Sequence, residues 1–268
     1  VKIFKCSQFK SKKITKKMKD LRYLAAFSIP VVAFVGIYFK EFFTFLTPVY
    51  AFVIIPVLEL VFPVDKHNMS KEDAENKLKN KLFDWLLYLN LPIVYGLIVF
   101  ALLTVSNSTL GTYEFVGCII SIGIVLGVNG INVAHELGHR QSSNERFIGK
   151  ALLLPALYMH FYIEHNFGHH LHAATKEDPA TARYNQTVYA FWVTSVFRQY
   201  SNAWRIQMML LKNQNLSFFS FKNDMFWYTI LQLVYLGIIF YIFGVSGFLF
   251  AIFAGITGFI LLETVNYI

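Results

Sequence analysis

Long apolar segments constrain the fold of this chain more than any other feature of its sequence. The hydrocarbon core of a bilayer is about 30 Å thick, and an α-helix needs about 20 mostly apolar residues to cross it. Six stretches approach or exceed that length, at residues 22–40, 42–62, 83–104, 113–135, 225–243 and 246–268. A helix suits lipid because it satisfies its backbone hydrogen bonds internally. We therefore predict an all-α integral membrane protein, a bundle of six transmembrane helices that forms a single membrane domain over residues 1–268.

The positions of the basic residues predict how this bundle is oriented. Of the 24 Lys and Arg, nine lie within residues 1–22, five within 66–81 and nine within 140–222. Six crossings place 23 of the 24 on one side, which the positive-inside rule makes cytoplasmic. A seventh crossing at 147–163 would scatter them, so we interpret that stretch as a re-entrant or interfacial helix. The N-terminus and a large excursion at 140–224 are then cytoplasmic.

The net charge of +8 is thus concentrated on one face of the protein. Its simplest role is orientation and contact with anionic lipid, and docking of an acidic protein is a second possibility. No nucleic-acid recognition module accompanies the charge, which argues against nucleic-acid binding. Within the excursion, Tyr184 to Asn215 is predicted to be an amphipathic helix with apolar anchors such as Phe197 and Met208.

Six of the eight histidines lie in two clusters. His135 and His139 end the fourth apolar segment, and the second cluster contains His165, His169, His170 and His172. Imidazoles four residues apart lie on the same face of a helix. In a regular α-helix, His165, His169 and His172 would share one stripe while His170 points about 100° away. The spacing predicts a histidine-rich metal site at the cytoplasmic end of the bundle.

The donor set indicates which metals fit. Neutral imidazole suits iron, copper and zinc, and neither Cys6 nor Cys118 forms a thiolate motif near the histidines. A catalytic zinc needs only three protein ligands, so five or six histidines favour two metals. Glu136, Glu164 and Asp178 are spaced to accept hydrogen bonds from imidazole N–H groups, and any of them could equally be an ordinary surface carboxylate. We favour the imidazole partner for Asp178, which precedes Pro179 in a turn close to the second cluster. We expect His67 to be solvated and His160 to be packed or interfacial.

These motifs resemble those of a known family. The stretches Asn132-Val-Ala-His-Glu-Leu-Gly-His-Arg140 and Glu164-His-Asn-Phe-Gly-His-His170, with Ala174-Thr-Lys-Glu-Asp-Pro-Ala180 following, resemble the integral-membrane alkane 1-monooxygenases. The terminal Leu262-Glu-Thr-Val-Asn-Tyr-Ile268 looks like the start of that family's third signature. The likeness covers essentially the whole chain, and the second motif is its most specific part.

The resemblance implies a chemistry, a cofactor and partners. It implies two non-haem iron ions held by His135, His139, His165, His169 and His170, with His172 as a possible extra ligand. It also implies insertion of one oxygen atom from O2 into the terminal C–H bond of a medium- or long-chain n-alkane, which gives a 1-alkanol. Electrons would come from rubredoxin, served by rubredoxin reductase, at the inner membrane of a bacterial cell. The small acidic donor would suit the basic cytoplasmic face.

An alkane has no polar group, so only an apolar channel can bind and orient it. Phe45, Tyr50 and Phe52 in the second apolar segment are candidates to line such a channel. Core packing or contact with lipid is the alternative for each of them.

The chain begins at Val1 and stops at Ile268, before the Glu-His-Tyr-Gly and the later histidine motif that the family would add. We expect this chain to be part of a longer protein, to lack the C-terminal cytoplasmic part of that protein, and to be inactive alone. Glu263 and Asn266 would share a helix face with the first absent histidine.

Three other functions remain open from the sequence. His135-Glu-Leu-Gly-His139 is also the pattern of zinc proteases, which would make the second cluster dispensable. A membrane fatty-acyl desaturase or hydroxylase has similar histidine motifs and is the nearer alternative. A transporter would place ionisable residues deep in the membrane, whereas nearly all of them here lie at its cytoplasmic end.

Overall fold

The computed structural model describes residues 21–62, 77 and 80–268, and these ranges contain helices and connecting turns but no strand. His67 and most of the charged connector around it lie outside the described residues. In chain order the helices are α1 (Arg22–Phe39), α2 (Glu41–Val61), α3 (Lys81–Asn107), α4 (Thr112–Gly138), α5 (Ser143–Leu153), α6 (161–172), α7 (Val188–Asn213) and α8 (Asp224–Tyr267). A protein built in this way from helices alone has the predicted all-α class.

Five of the described helices are long and apolar enough to cross a membrane: α1, α2, α3, α4 and α8. The first four correspond to the predicted segments 22–40, 42–62, 83–104 and 113–135. Predicted segments 225–243 and 246–268 both fall within α8, which is 44 residues long. The molecule is a membrane protein in which the last two predicted helices are joined into one broken element.

The break in α8 is at Gly244, whose φ of 64° and ψ of −161° are not helical. Glycine adopts a positive φ without the steric penalty of a Cβ atom. The rings of Phe240 and Phe248 lie only 5.7 Å apart, although eight residues of straight helix span about 12 Å. The chain therefore reverses direction here, and α8 consists of two arms, 224–243 and 245–267.

The two ends of α8 meet the same region of the protein. The Nζ atom of Lys150 lies 3.1 Å from Oδ2 of Asp224, at the start of the first arm. At the end of the second arm, Oε1 of Glu263 accepts a 2.8 Å hydrogen bond from the hydroxyl of Tyr158. The first contact is made by α5 and the second by the turns that follow it, so the arms start and finish beside the histidine-bearing helices.

A polar cluster lies at the opposite end of α4, where α1 turns into α2 and α3 into α4. We call Lys40, Glu41, Ser108, Gly111 and Glu114 the far-end cluster. The carboxylate of Glu114 accepts hydrogen bonds from the N–H groups of Glu41 at 2.8 Å and Gly111 at 2.6 Å. Lys40 donates to the hydroxyl of Ser108 at 3.0 Å. These bonds tie the two turns together, because each satisfies a backbone or side-chain group that a turn leaves free.

Helix α4 is the centre of the bundle and packs closely against the second arm of α8. A Cβ atom on Gly258 would lie 3.0 Å from Cβ of Leu126 and 3.2 Å from the carbonyl oxygen of Gly123. Small residues allow helices in a membrane to approach in this way. The fully buried Leu137 and Ala134 continue this packing to the end of α4, which fixes the position of the first histidine cluster.

The stretch 147–163 is neither a crossing nor a single helix. Helix α5 ends at Leu153, and the following turns include Leu157 with a φ of 54°. Ala156 and Tyr158 are completely buried, and the carbonyl oxygen of Ala156 packs against Gly255 in α8. The turns after α5 thus fill space beside α8 and bury Ala156 and Tyr158 in protein, whereas Phe147 in α5 is exposed.

Candidate metal centre

Four histidines converge where the end of α4 meets α6. Ligand atoms of His135, His139, His165 and His170 all lie within 4.8 Å of one another. Nε2 of His170 is 3.3 Å from Nε2 of His139 and 3.1 Å from Nε2 of His165. The rings of His135 and His165 are 4.4 Å apart. Imidazole nitrogens gathered this closely can surround one ion, and they are suitable ligands for iron, copper or zinc.

A π-helical turn decides which histidines of the second cluster join this group. Helix α6 contains Phe161–Glu164, the π turn His165–His169 and His170–His172. The N–H of His170 donates to the carbonyl oxygen of His165, which is the five-residue hydrogen bond of a π-helix. Residues five apart are thereby brought to one face. The prediction that His170 points away from the face of His165 assumed a regular α-helix and is wrong.

His169 leaves the four-histidine group and pairs with a carboxylate. Its Nδ1 atom lies 3.0 Å from Oδ2 of Asp178, whose side chain is fully buried. The other carboxylate oxygen accepts the N–H of Ala180 at 3.0 Å, and Thr181 donates to Oδ2 at 2.5 Å. Within the described part of the chain, Nε2 of His169 has no hydrogen-bond partner. A carboxylate on Nδ1 fixes the tautomer in which Nε2 is free to bind a metal.

Burial sets the charge of the groups around the cluster. The pKa of His165 falls to about 3, first because burial disfavours the charged ring and then because other histidines lie close by. His165 is therefore neutral, the form that coordinates metal. Burial raises the pKa of Glu164 to about 7. The amide of Asn202 donates a hydrogen bond of 3.1 Å to this carboxylate, which opposes the rise in its pKa. Glu164 thus links α6 to α7, and the structure shows no hydrogen bond from it to a described imidazole.

Two other described histidines, His160 and His172, lie outside the cluster, as does Glu136. His172 is exposed, and its carbonyl oxygen accepts a hydrogen bond from the N–H of Thr175. His160 is buried between the rings of Tyr158 and Tyr200, so it is a packed histidine. The side chain of Glu136 is 53% exposed and forms an ion pair of 3.0 Å with Arg140. It lies in solvent instead of accepting from an imidazole.

The three candidate channel residues in α2 occupy different environments. Phe45 and Tyr50 are half-buried, whereas Phe52 has 57% of its surface exposed. An apolar groove of about 360 Å³ lies elsewhere, between α1 and α3, and Phe34, Gly96 and Phe100 are among its lining residues. The structure therefore does not bring Phe52 to an enclosed path.

Sequence reasoning missed a polar stripe on α7. Ser195, Gln199 and Asn202 are buried, whereas the expected apolar anchors Phe197 and Met208 are exposed. Oε2 of Glu263 accepts a hydrogen bond from Ser195 at 2.6 Å and another from Gln199 at 2.9 Å. Asn202 donates to Glu164. Spacings of three and four residues put such side chains on one helix face, a signal that was present in the sequence. The stripe holds α7 against α6 and the end of α8.

Asn129 and Asn132 lie close together on α4 but occupy different environments. Helix α4 contains a π turn at Leu126–Ile131, and Asn129 within it is buried while Asn132 is exposed. The amide of Asn129 donates to Oδ1 of Asn90 at 2.9 Å and to the carbonyl oxygen of Ala26 at 3.2 Å. The role that the structure shows for Asn129 is therefore helix–helix hydrogen bonding.

The donor set fits a metal such as iron. Nε2 of His170 contacts Nε2 of both His139 and His165, and two imidazole nitrogens in contact can share only one proton between them. An ion would use all of these lone pairs at once. Cys118, the cysteine among the described residues, lies on α4 about 25 Å before His135 and adds no thiolate to the set.

Comparison with known proteins places this geometry in a family. Residues 111–268, more than half of the chain, match the family model described as fatty acid desaturase. The chain belongs to the fatty acid desaturase family. The part of this family member that matches contains all four converging histidines, as well as His169 and Asp178.

Its relatives include alkane 1-monooxygenases, which confirms the resemblance seen in the motifs. It is 34% identical to alkane 1-monooxygenase 1 of Pseudomonas aeruginosa, over 85% of this chain and 60% of the relative. It is 29% identical to alkane 1-monooxygenase 2 of Alcanivorax borkumensis, over 94% of this chain and 68% of the relative. A further relative, 28% identical over 85% of this chain and 60% of its own length, is the xylene/toluene monooxygenase hydroxylase component XylM of Pseudomonas putida. The chain thus spans about three fifths of the first of these relatives.

Proposed function

We propose that this chain forms the membrane and metal-binding part of a non-haem di-iron monooxygenase. The enzyme would insert one oxygen atom from O2 into the terminal C–H bond of a medium- or long-chain n-alkane and release a 1-alkanol. The observation that carries the proposal is the convergence of four histidines between α4 and α6. The alkane 1-monooxygenase relatives support the choice of substrate.

The residues would divide between two iron ions. His135, His139, His165 and His170 would hold one ion, since their ligand atoms already lie within 4.8 Å of one another. His169 would serve the second ion through Nε2, because Asp178 occupies its Nδ1 atom. His172, the possible extra ligand of the sequence analysis, is exposed and outside the cluster, so we assign it to neither ion. When bound, iron supplies the activation of O2 and the cleavage of the C–H bond, while the protein positions the metal and excludes water.

Six membrane crossings and a cytoplasmic metal site complete the proposal. The reversal at Gly244 supports two crossings by α8, because one end of α8 contacts α5 and the other contacts the turns just after α5. The basic residues would then face the cytoplasm of a bacterial cell, with the chain in its inner membrane and the N-terminus inside.

Rubredoxin, reduced by rubredoxin reductase, is the proposed electron donor. A depression of about 440 Å³ lies beside Asp178 and is lined by four cations, Lys176, Arg183, Arg198 and Arg205. Such a surface attracts an acidic protein, and it lies next to the carboxylate that holds His169.

The substrate would reach the site from lipid. Phe45 and Tyr50, half-buried in α2, are proposed to line its path, whereas the exposed Phe52 is left out of it, and the groove between α1 and α3 offers a second apolar surface. Apolar contact is the only means of binding an alkane.

Fatty-acyl desaturation or hydroxylation is the second candidate, because the matching family model is a desaturase model. Zinc proteolysis is supported less well. A hydrolytic zinc site of the His-Glu-x-x-His type needs its glutamate at the metal, whereas Glu136 is paired with Arg140 in solvent.

Product analysis tests the proposal. Membranes that contain the protein, expressed from its native reading frame, are supplied with reduced rubredoxin, O2 and either n-alkanes or fatty-acyl substrates. We expect 1-alkanols from the alkanes, lost in His165→Ala and retained in the matched control His172→Ala. Unsaturated or hydroxylated acyl products with no alkanol would contradict alkane hydroxylation and favour the second candidate.

A further inference from the structure

A second pocket lies between α5, α6, α7 and the start of α8, and none of the histidines lines it. Its volume is about 390 Å³. Three cations, Arg146, Lys150 and Lys222, line it together with one carboxylate, Asp224. The pocket is therefore positively charged, and the function proposed above assigns it no role.

The partners of these cations show where the free charge lies. Lys150 is occupied by the ion pair of 3.1 Å with Asp224. Arg146 donates to two backbone carbonyl oxygens, those of Arg140 at 3.3 Å and Gln141 at 2.8 Å. The ammonium of Lys222 is 3.3 Å from Oε1 of Gln214, a neutral amide. Among the described residues, neither Arg146 nor Lys222 is paired with a carboxylate, so two positive charges remain for an anionic ligand.

The rest of the lining combines apolar side chains with two amides. Ile163 and Phe167 of α6 and Leu210 and Leu211 of α7 supply the apolar part, and Gln207 and Gln214 supply the amides. The ring of Tyr162 also lies in the wall, 4.5 Å from the ammonium of Lys150. A ligand that fits would combine an anionic group with hydrocarbon, since a free inorganic anion makes no use of apolar walls.

Exposed aromatic residues locate the pocket at the membrane surface. Phe219 and Phe221, just before α8, are 75% and 86% exposed. Phe221 stacks on Trp227 with ring centroids 5.6 Å apart. Aromatic side chains concentrate where a membrane meets water, and the apolar first arm of α8 begins at Asp224 within the pocket. The cations thus lie at the depth of lipid headgroups.

We infer that this pocket binds an anionic phospholipid, with its phosphate at Arg146 and Lys222 and its acyl chains along the apolar walls of α6 and α7. Basic pockets between membrane helices on the cytoplasmic side hold anionic lipid headgroups in this way. Ile163 and Phe167 belong to the helix that carries His165 and His170, so the lipid would pack directly against the histidine-bearing helix.

Lipid selectivity tests the inference. The full chain is reconstituted in phosphatidylcholine vesicles, and association of spin-labelled phosphatidylglycerol is compared with that of spin-labelled phosphatidylcholine. We expect the wild-type protein to prefer phosphatidylglycerol over phosphatidylcholine. In Arg146→Gln/Lys222→Gln this preference ratio should fall about fivefold for each charge removed. The matched control, Arg198→Gln/Lys212→Gln, removes two exposed cations of α7 outside the pocket and should retain most of the preference.

Two results would overturn the inference. Equal losses in the pocket variant and the control would show that diffuse surface charge attracts the lipid. Full competition by inorganic phosphate would show a site for free anions instead of lipid. If Arg146→Gln disturbs the turn before α5, the single variant Lys222→Gln still tests the inference. In the described part of the chain, the exposed Lys222 side chain is hydrogen-bonded to the Gln214 amide alone. Its replacement should therefore leave the fold intact and lower the preference for phosphatidylglycerol about fivefold.

Discussion

The two ends of α4 both gather polar side chains, but they use them differently. At its start, the far-end cluster is self-contained: Glu114 accepts from the N–H groups of Glu41 and Gly111. At its end, the ring nitrogens of His139 and His165 each face that of His170, at 3.3 and 3.1 Å. The far-end cluster has complementary donors and acceptors, whereas the histidine cluster gathers three imidazole Nε2 atoms.

The difference separates a structural cluster from a binding site. Buried polar groups normally find partners, and the far-end cluster does so within the protein. Neutral imidazoles cannot all satisfy one another, because each ring has one donor and one acceptor nitrogen. We propose that an ion completes the histidine end, so changes at the two ends should have separable effects on stability and on metal binding.

The largest expected effect comes from His165→Ala. Its ring contacts those of His135, His139 and His170, so its loss opens the centre of the site. We expect bound metal and hydroxylation to fall by more than about 100-fold, beyond the range typical for the partner of a ligand. Metal analysis and product assays measure this. His172→Ala, an exposed control, should stay close to wild type, and equal losses in both variants would contradict the assignment.

Asp178→Asn should have the next largest effect. The amide cannot hold His169 in the tautomer that leaves Nε2 free, so metal affinity should fall by about 10- to 100-fold. Competition with a chelator measures the affinity. Glu177→Gln changes the exposed neighbour and provides the control. An unchanged affinity in Asp178→Asn would mean that His169 is not a ligand.

Glu114→Ala should weaken the far-end cluster without touching the metal. Two backbone N–H groups lose a charged acceptor, which should lower the free energy of unfolding by about 3 kcal/mol. Thermal unfolding in detergent reports the stability, and metal content should not change. Glu59→Ala, an exposed carboxylate of α2, is the control. Loss of metal without loss of stability would show that the two ends are not independent.

Glu136→Gln should have the smallest effect. Its exposed ion pair with Arg140 contributes about 0.5 kcal/mol or less, and metal content and hydroxylation should remain at wild-type levels. Parallel measurements of stability and activity test this. Abolished hydroxylation would contradict this assignment and show that Glu136 acts at the metal site.

Local patterns in the sequence predicted much of this fold. The apolar segments predicted α1 to α4, and the gap between segments 225–243 and 246–268 coincides with the break at Gly244. His135 and His139 were predicted to share a face because they lie on a helix four residues apart, and the structure keeps their rings 4.7 Å apart. Each of these features depends on residues close together in the chain.

Features that depend on distant contacts could not be predicted. The π turn at His165–His169 inserts one residue into the helical register, so it moves His170 into the cluster and turns His169 towards Asp178. No single-residue propensity signals such a turn. Burial of Glu263 by Tyr158 and α7 depends on partners more than 60 residues away in sequence.

Iron-edge X-ray absorption on the purified, membrane-extracted protein tests the central claim most directly. We predict bound iron with a nitrogen-rich coordination shell. The iron content should be strongly reduced in His165→Ala and preserved in His172→Ala. Zinc as the bound metal, or an iron signal identical in wild type and His165→Ala, would contradict a histidine-held iron centre between α4 and α6.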